Sequence, residues 1–234
     1  MLKFIFLVFF ISFNSNAFSE SNEKPETCNF VQTDIFFYDY SFINSEDSNK
    51  SGMNNQILTA RPGLEICFKT KHLNFRPNIL INPFNSSTEG GMYIGKEFSK
   101  AEFGLYSSIN YSQKTLGNNS NLKETVENNL LLGPYLYLFP NFSDESSLEI
   151  LFRLSYYYYL NQGTVNGYTT TTSKKNGINF LTNLLYATFV NKHLAYTPSV
   201  NFVYTYSVDM VGGNIGSSVY QLQILPISFR WYLN

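Results

Sequence analysis

The chain has 234 residues, with 16 Lys and Arg against 17 Asp and Glu, two histidines and two cysteines. A net charge of −1 and the lack of any basic stripe exclude nucleic acid as its natural partner. Charged residues at 14% and aromatics at 18% exclude a disordered chain, which would be aromatic-poor and charge-rich.

The N-terminus reads Met1-Leu2-Lys3, an apolar stretch from Phe4 to Phe13, then Asn14-Ser15-Asn16-Ala17. A basic start, a short apolar core and small residues at the end predict a signal peptide over 1–17, cleaved after Ala17 or, in a second register, after Ser19. The apolar run falls short of the roughly 20 residues a spanning helix needs. Residues 18–27 form a polar lead-in, and the domain proper is expected over 28–234. Cys28 and Cys67 lack a Cys-x-x-Cys spacing, so metal and redox-motif readings have no support. Export places them where a disulfide persists, and a Cys28–Cys67 bridge is the expectation; two small buried thiols are the alternative.

From residue 29 onward one rhythm dominates: apolar and polar residues alternate with period two, and no segment has helical periodicity. Strands are predicted at 29–42, 57–69, 74–83, 91–98 and 102–113, then at 128–139, 147–160, 176–190, 194–207 and 218–233. The clearest is 147–160, where Leu148, Ile150, Phe152, Leu154, Tyr156, Tyr158 and Leu160 oppose Glu149, Arg153, Ser155, Tyr157 and Tyr159. In 128–139, Leu130, Leu132, Pro134, Leu136 and Leu138 oppose Gly133, Tyr135 and Tyr137. The segments 74–83 and 91–98 are short and hold Pro77, Pro83 and Gly95; without them the count would be eight rather than ten. Connections at 70–73, 99–101, 140–146 and 191–193 alternate with mostly longer, Asn/Ser/Thr/Gly-rich ones at 43–56, 84–90, 114–127, 161–175 and 208–217. Membrane barrels sort their connections this way, with tight periplasmic turns and long extracellular loops.

The hairpin Tyr93-Ile94-Gly95-Lys96-Glu97-Phe98, a brief turn and Glu102-Phe103-Gly104-Leu105-Tyr106 resemble the small bacterial outer-membrane β-barrel proteins, as does Gly133-Pro134-Tyr135-Leu136-Tyr137. Leu225, Ile227, Phe229, Trp231 and Leu233 resemble the alternating terminal strand that the barrel-assembly machinery reads in that family, although the last residue is Asn234 rather than Phe. The resemblance implies a closed antiparallel transmembrane barrel in the outer membrane, porin-like in build. Outer-membrane lipid and the assembly machinery would be its partners, and both termini would be periplasmic. It points to no particular extracellular partner.

Closure turns alternation into apolar-out and polar-in, because a sheet can span lipid only when its last strand pairs with its first. On that assignment Asp34, Arg61, Glu65, Lys69, Arg76, Glu97, Glu102, Glu149, Arg153 and Arg230 face the lumen. If Cys28 stands directly opposite Cys67, Asp34 stands opposite Arg61. Ten strands tilted by roughly 40° give a radius of about 10 Å, which long side chains largely fill. The expectation is a salt-bridged, filled interior with a structural or surface-exposed role; a narrow small-solute channel is the second use of the same wall.

No enzymatic motif is present: no Gly-x-Ser-x-Gly elbow, no metal-ligating His cluster and no phosphate-binding glycine loop. His72 and His193 both fall in short turns, a poor place for a general base. The expectation is therefore no catalytic residue, no cofactor and no metal. Two other classes stay open, a secreted lipocalin-like barrel with an apolar ligand inside and, behind it, an outer-membrane hydrolase. Tyr168 and Thr169 to Thr172 form a polar stretch expected at a loop tip.

Overall fold

A computed structural model describes residues 28–45, 52–59, 62–82, 87–116, 123–142, 146–165, 168–211, 213 and 215–233. The signal segment, the lead-in and Arg61 lie outside the described residues. Twelve strand segments follow one another: β1 (Phe30–Ser45), β2 (Gly52–Thr59), β3 (Gly63–Lys69), β4 (Asn74–Asn82), β5 (Ser87–Phe98), β6 (Ala101–Leu116), β7 (Lys123–Phe142), β8 (Ser146–Val165), β9 (Tyr168–Asn191), β10 (Leu194–Tyr196), β11 (Ser199–Asp209) and β12 (Ile215–Tyr232). No helix occurs among the described residues.

These segments make a ring of ten staves. β2 and β3 share one stave beside β1, and β10 and β11 share the stave between β9 and β12. Each remaining strand pairs antiparallel with its sequence neighbours, and β12 closes the ring by pairing with β1 from Phe30↔Tyr232 to Ser45↔Ser217. The two weakest sequence segments are full staves: β4 and β5 pair over nine consecutive residue pairs, from Asn74↔Gly95 to Asn82↔Ser87. All ten expected strands are present.

The staves run further into the long connections than the alternation indicates. β8 and β9 stay paired up to Val165↔Tyr168, so most of the segment 161–175, expected as a loop, is strand. Only Asn166 and Gly167 separate the two, and Asn-Gly is the pair that two-residue hairpins favour. The Thr169–Thr172 stretch therefore sits on a strand rather than a loop. At 24 residues, β9 is about 80 Å long, which a tilt of roughly 40° turns into about 60 Å of height.

Side chains sort by face along every well-defined stave. On β6, Phe103, Leu105, Ile109 and Tyr111 point outward with 44–61% of their surface exposed, while Glu102, Tyr106, Ser108 and Ser112 are buried inside. On β9, Ile178, Phe180, Leu184, Tyr186 and Val190 are exposed, and Asn179 is buried. The exposed face is thus apolar and the buried face polar, the reverse of a soluble protein.

One expectation about the terminal strand needs correction. Ile227 and Leu233 are exposed and Phe229 and Trp231 half-buried, but Leu225 is 4% exposed and turns into the lumen. Pro226 carries no N–H for the ladder, and the β1–β12 register shifts on both sides of Phe36↔Ile227. The extra residue flips parity, so the outward set below the bulge does not continue to Leu225. Two more prolines mark the neighbouring breaks, Pro62 before β3 and Pro198 between β10 and β11.

Candidate functional site

The interior is built in layers. Nearest the short turns lies an apolar cluster of Phe30, Leu185, Ala187, Ala195 and Tyr232 around Cys28 and Cys67, which are joined as a disulfide with Cα atoms 5.2 Å apart. The two cysteines do not stand directly opposite each other. Phe30 pairs with Cys67, because Cys28 precedes the strand and reaches its partner diagonally. The register therefore sets Asp34 opposite Gly63, not Arg61.

Above this cluster a polar network crosses the lumen. Arg230 donates to both Glu149 oxygens, at 2.6 and 3.0 Å, and through Nε to Gln32 at 3.0 Å. Tyr137 donates its hydroxyl to the same carboxylate. Arg76 donates to Glu102 at 2.8 Å, Asn74 donates to it at 2.6 Å, and Tyr135 gives it a hydroxyl. The Arg76 guanidinium lies 4.3 Å from the Tyr137 ring centre, which links the two clusters, and that of Arg230 lies 4.1 Å from the centre of Phe30. The network thus runs from β12 and β1 through β8 and β7 to β6 and β4. Both ion pairs are buried, with side chains no more than 5% exposed. Such pairs add little net stability over apolar packing of the same shape, but they tolerate no missing member.

On the side away from the disulfide, Arg153 donates to Tyr93 at 3.3 Å and Asn179 at 3.2 Å, with its guanidinium 4.2 Å from the Tyr106 ring centre. Between this level and the network lies a cavity of about 200 Å³. Glu65 and Glu89 line it beside Tyr93 and Tyr106, and so does Asp34, which accepts from Ser228 at 2.6 Å and Gln32 at 3.3 Å. Lys69 and Glu97 stand lower, at the rim of the short-turn end, 3.1 Å apart and partly exposed. Of the charges expected to face the lumen, the structure therefore gathers Arg76, Glu102, Glu149 and Arg230 into one network. It sets Asp34 and Glu65 around the cavity, holds Arg153 beyond it against Tyr93, Tyr106 and Asn179, and leaves Lys69 and Glu97 at the rim.

Sequence reasoning missed four contributors. Tyr135 and Tyr137 were legible as inward residues but not as donors to particular carboxylates, since their partners are on other strands. Asn74, 1% exposed, carries no charge to single it out. Glu89 falls in 84–90, read as a connection, so its parity had no strand to belong to.

Room for the network depends on Gly95. A Cβ there would overlap the Tyr135 hydroxyl and sit 3.0 Å from Glu102 Cγ. Gly95→Ala should therefore destabilise by about 1–3 kcal/mol, the usual effect of overpacking. In a Tyr135→Phe background, which removes the obstructing oxygen, the penalty should shrink; urea titration of all four combinations in detergent checks this, and equal penalties in both backgrounds would refute it.

Neither histidine enters the interior. His72 and His193 occupy the turns after β3 and β9, at the short-turn end. Among the described residues no group of three or more His, Cys, Asp and Glu side chains is placed to hold a metal ion.

No protein-family model matches the sequence, and no curated protein matches it. Solved structures do resemble the fold. The outer-membrane protease OmpT from Escherichia coli aligns with a TM-score of 0.52 at 8% identity, over 91% of this chain and 100% of that one. Neisserial surface protein A aligns at 0.35 and 9% identity, over 88% and 97%, and Ail of Yersinia pestis at 0.35 and 8% identity, over 87% and 99%. At such identities the likeness to OmpT speaks to architecture and not to chemistry. The fold of this chain is that of a bacterial outer-membrane β-barrel.

Proposed function

We propose that the chain spans the bacterial outer membrane as a barrel sealed at its short-turn end, and serves as a surface-exposed scaffold rather than a channel or an enzyme. The observation that carries this reading is the buried network of Arg230, Glu149, Tyr137, Arg76 and Glu102 above the apolar disulfide cluster. Side chains fill the cross-section there, so ions have no water-lined path. The apolar outer face supports the membrane placement. Leu105, Ile109 and Val190 are each about 60% exposed, and only hydrocarbon makes such a surface favourable around a whole ring.

A lipocalin-like binder would need the opposite sorting, with Leu and Ile inside and polar groups outside. In the outer-membrane reading both termini and the short turns are periplasmic, the tall tips of β7, β8 and β9 are extracellular, and the barrel-assembly machinery inserts the chain. The histidines then sit on the periplasmic rim, away from any extracellular substrate, which favours a non-enzymatic role.

The full chain, folded in detergent and added to a planar lipid bilayer, should insert with a silent baseline. Stable stepwise currents would overturn the sealed reading and make the interior charges the wall of a pore.

A further inference from the structure

The ladder between β9 and β11 ends at Lys175↔Asp209, with a last bond from Met210 N to Lys174 O at 2.8 Å. The ladder between β9 and β8 continues past that point to Tyr168↔Val165. Among the described residues, then, Tyr168–Ser173 is paired along one edge only, and about 20 Å of strand edge presents its backbone groups outward. Natural edges of this kind are blunted by charge, proline or cover. This one has neither charge nor proline, the six residues being Tyr, four Thr and Ser with Tyr168 80% exposed, and its one interruption is a bulge at Thr172, which has no register partner on β8.

We infer that this edge pairs with itself, joining the same edge of a second copy held in a facing membrane; the inference rests on the outer-membrane reading above. An antiparallel two-fold centred between Thr170 and Thr171 sets these two opposite each other and Thr169 opposite the bulged Thr172, with Tyr168 meeting Ser173, whose hydroxyl already donates to Asp209 at 2.8 Å, at the margin. Every pair is uncharged, and threonines across a ladder exchange hydroxyl bonds. The hairpin already makes one such pair within itself, between Thr164 and Thr169 at 3.0 Å. Strand tilt selects the facing arrangement. Two copies in one membrane, related by rotation about its normal, would cross their edges at about 80°, twice the tilt. Copies in opposed membranes, related by an axis in the membrane plane, run antiparallel. One six-residue edge binds weakly, but an array of them across two surfaces adds avidity without new contacts.

The test uses the full chain inserted into vesicles of phosphatidylcholine and phosphatidylglycerol, with clustering followed by light scattering. Wild-type vesicles should cluster, and vesicles carrying Thr170→Lys/Thr171→Lys should not, because the lysines repel across the pair. Mixing vesicles bearing Thr170→Cys with vesicles bearing Thr171→Cys should give an intermolecular disulfide on oxidation, more than either population alone. Absent wild-type clustering, or equal clustering by the lysine variant, overturns the inference. Flotation separates its failure from that of the underlying reading. Protein that floats with vesicles that stay apart refutes only the pairing edge, whereas protein that does not float refutes the membrane placement itself.

Discussion

Arg230→Met will lower the unfolding free energy of the barrel by about 3–5 kcal/mol, the usual cost of stranding a buried charge. Met matches the aliphatic stem of Arg, so the loss isolates the guanidinium, with its ion pair to Glu149 and its stacking on Phe30. What remains is Glu149, 1% exposed, with Tyr137, a 3.3 Å contact from Ser147 and, as a more distant cation, Arg76, which is already paired with Glu102. Adding Glu149→Gln to Arg230→Met should recover a large part of the loss, since both charges are then gone and a neutral amide can still meet Tyr137. Urea unfolding of the two single variants and the double variant in detergent micelles gives the coupling directly. A single-variant loss below about 1 kcal/mol would mean that water reaches Glu149, and a sealed interior could not be sustained.

The reason the sequence carries so much of this fold lies in the physics of a thin wall. A barrel has no interior layer to hide exceptions, so each stave must alternate to keep one face dry, and period two is visible in a single sequence. The strand at 147–160 shows this: Glu149, Arg153 and Ser155 share a parity in the sequence and share the lumen in the structure. Alternation fails to report where a bulge inserts a residue. Leu225 shares its parity with Ile227 in the sequence, and Pro226 places them on opposite faces.

Pairing across the lumen is less legible still. Nothing local ties Arg230 to Glu149, which is 81 residues away and on a stave that is not its neighbour. That contact follows only from ring size and shear. The ends of the staves were also obscured, because outside a hydrocarbon belt a strand no longer needs a dry face. The Tyr168–Ser173 stretch is therefore polar on both faces, and its composition reads as a loop.

The same dry-face requirement supplies a test of the membrane placement itself. On β6 the outward residues are Phe103, Leu105, Ser107, Ile109 and Tyr111, with aromatics at both ends of the series and aliphatics within it. A rise of about 2.5 Å per residue along a tilted strand puts roughly 20 Å between the two aromatics, close to the height of a hydrocarbon belt bounded by aromatic girdles. Ser107 stands at its middle, and Leu105 and Ile109 flank it about 5 Å to either side. Leu105→Arg should cost about 2–4 kcal/mol in a lipid bilayer, the range for a cation near the midplane, whereas Gln113→Arg, exposed beyond Tyr111, should cost no more than about 1. The gradient between the two positions is the informative quantity. A water-facing surface would accept arginine at 105 as readily as at 113, since an exposed Leu there gains nothing from solvent. Folding titrations of both variants into vesicles decide the matter: unequal penalties in the stated order place β6 in lipid, and equal small ones would return the barrel to water.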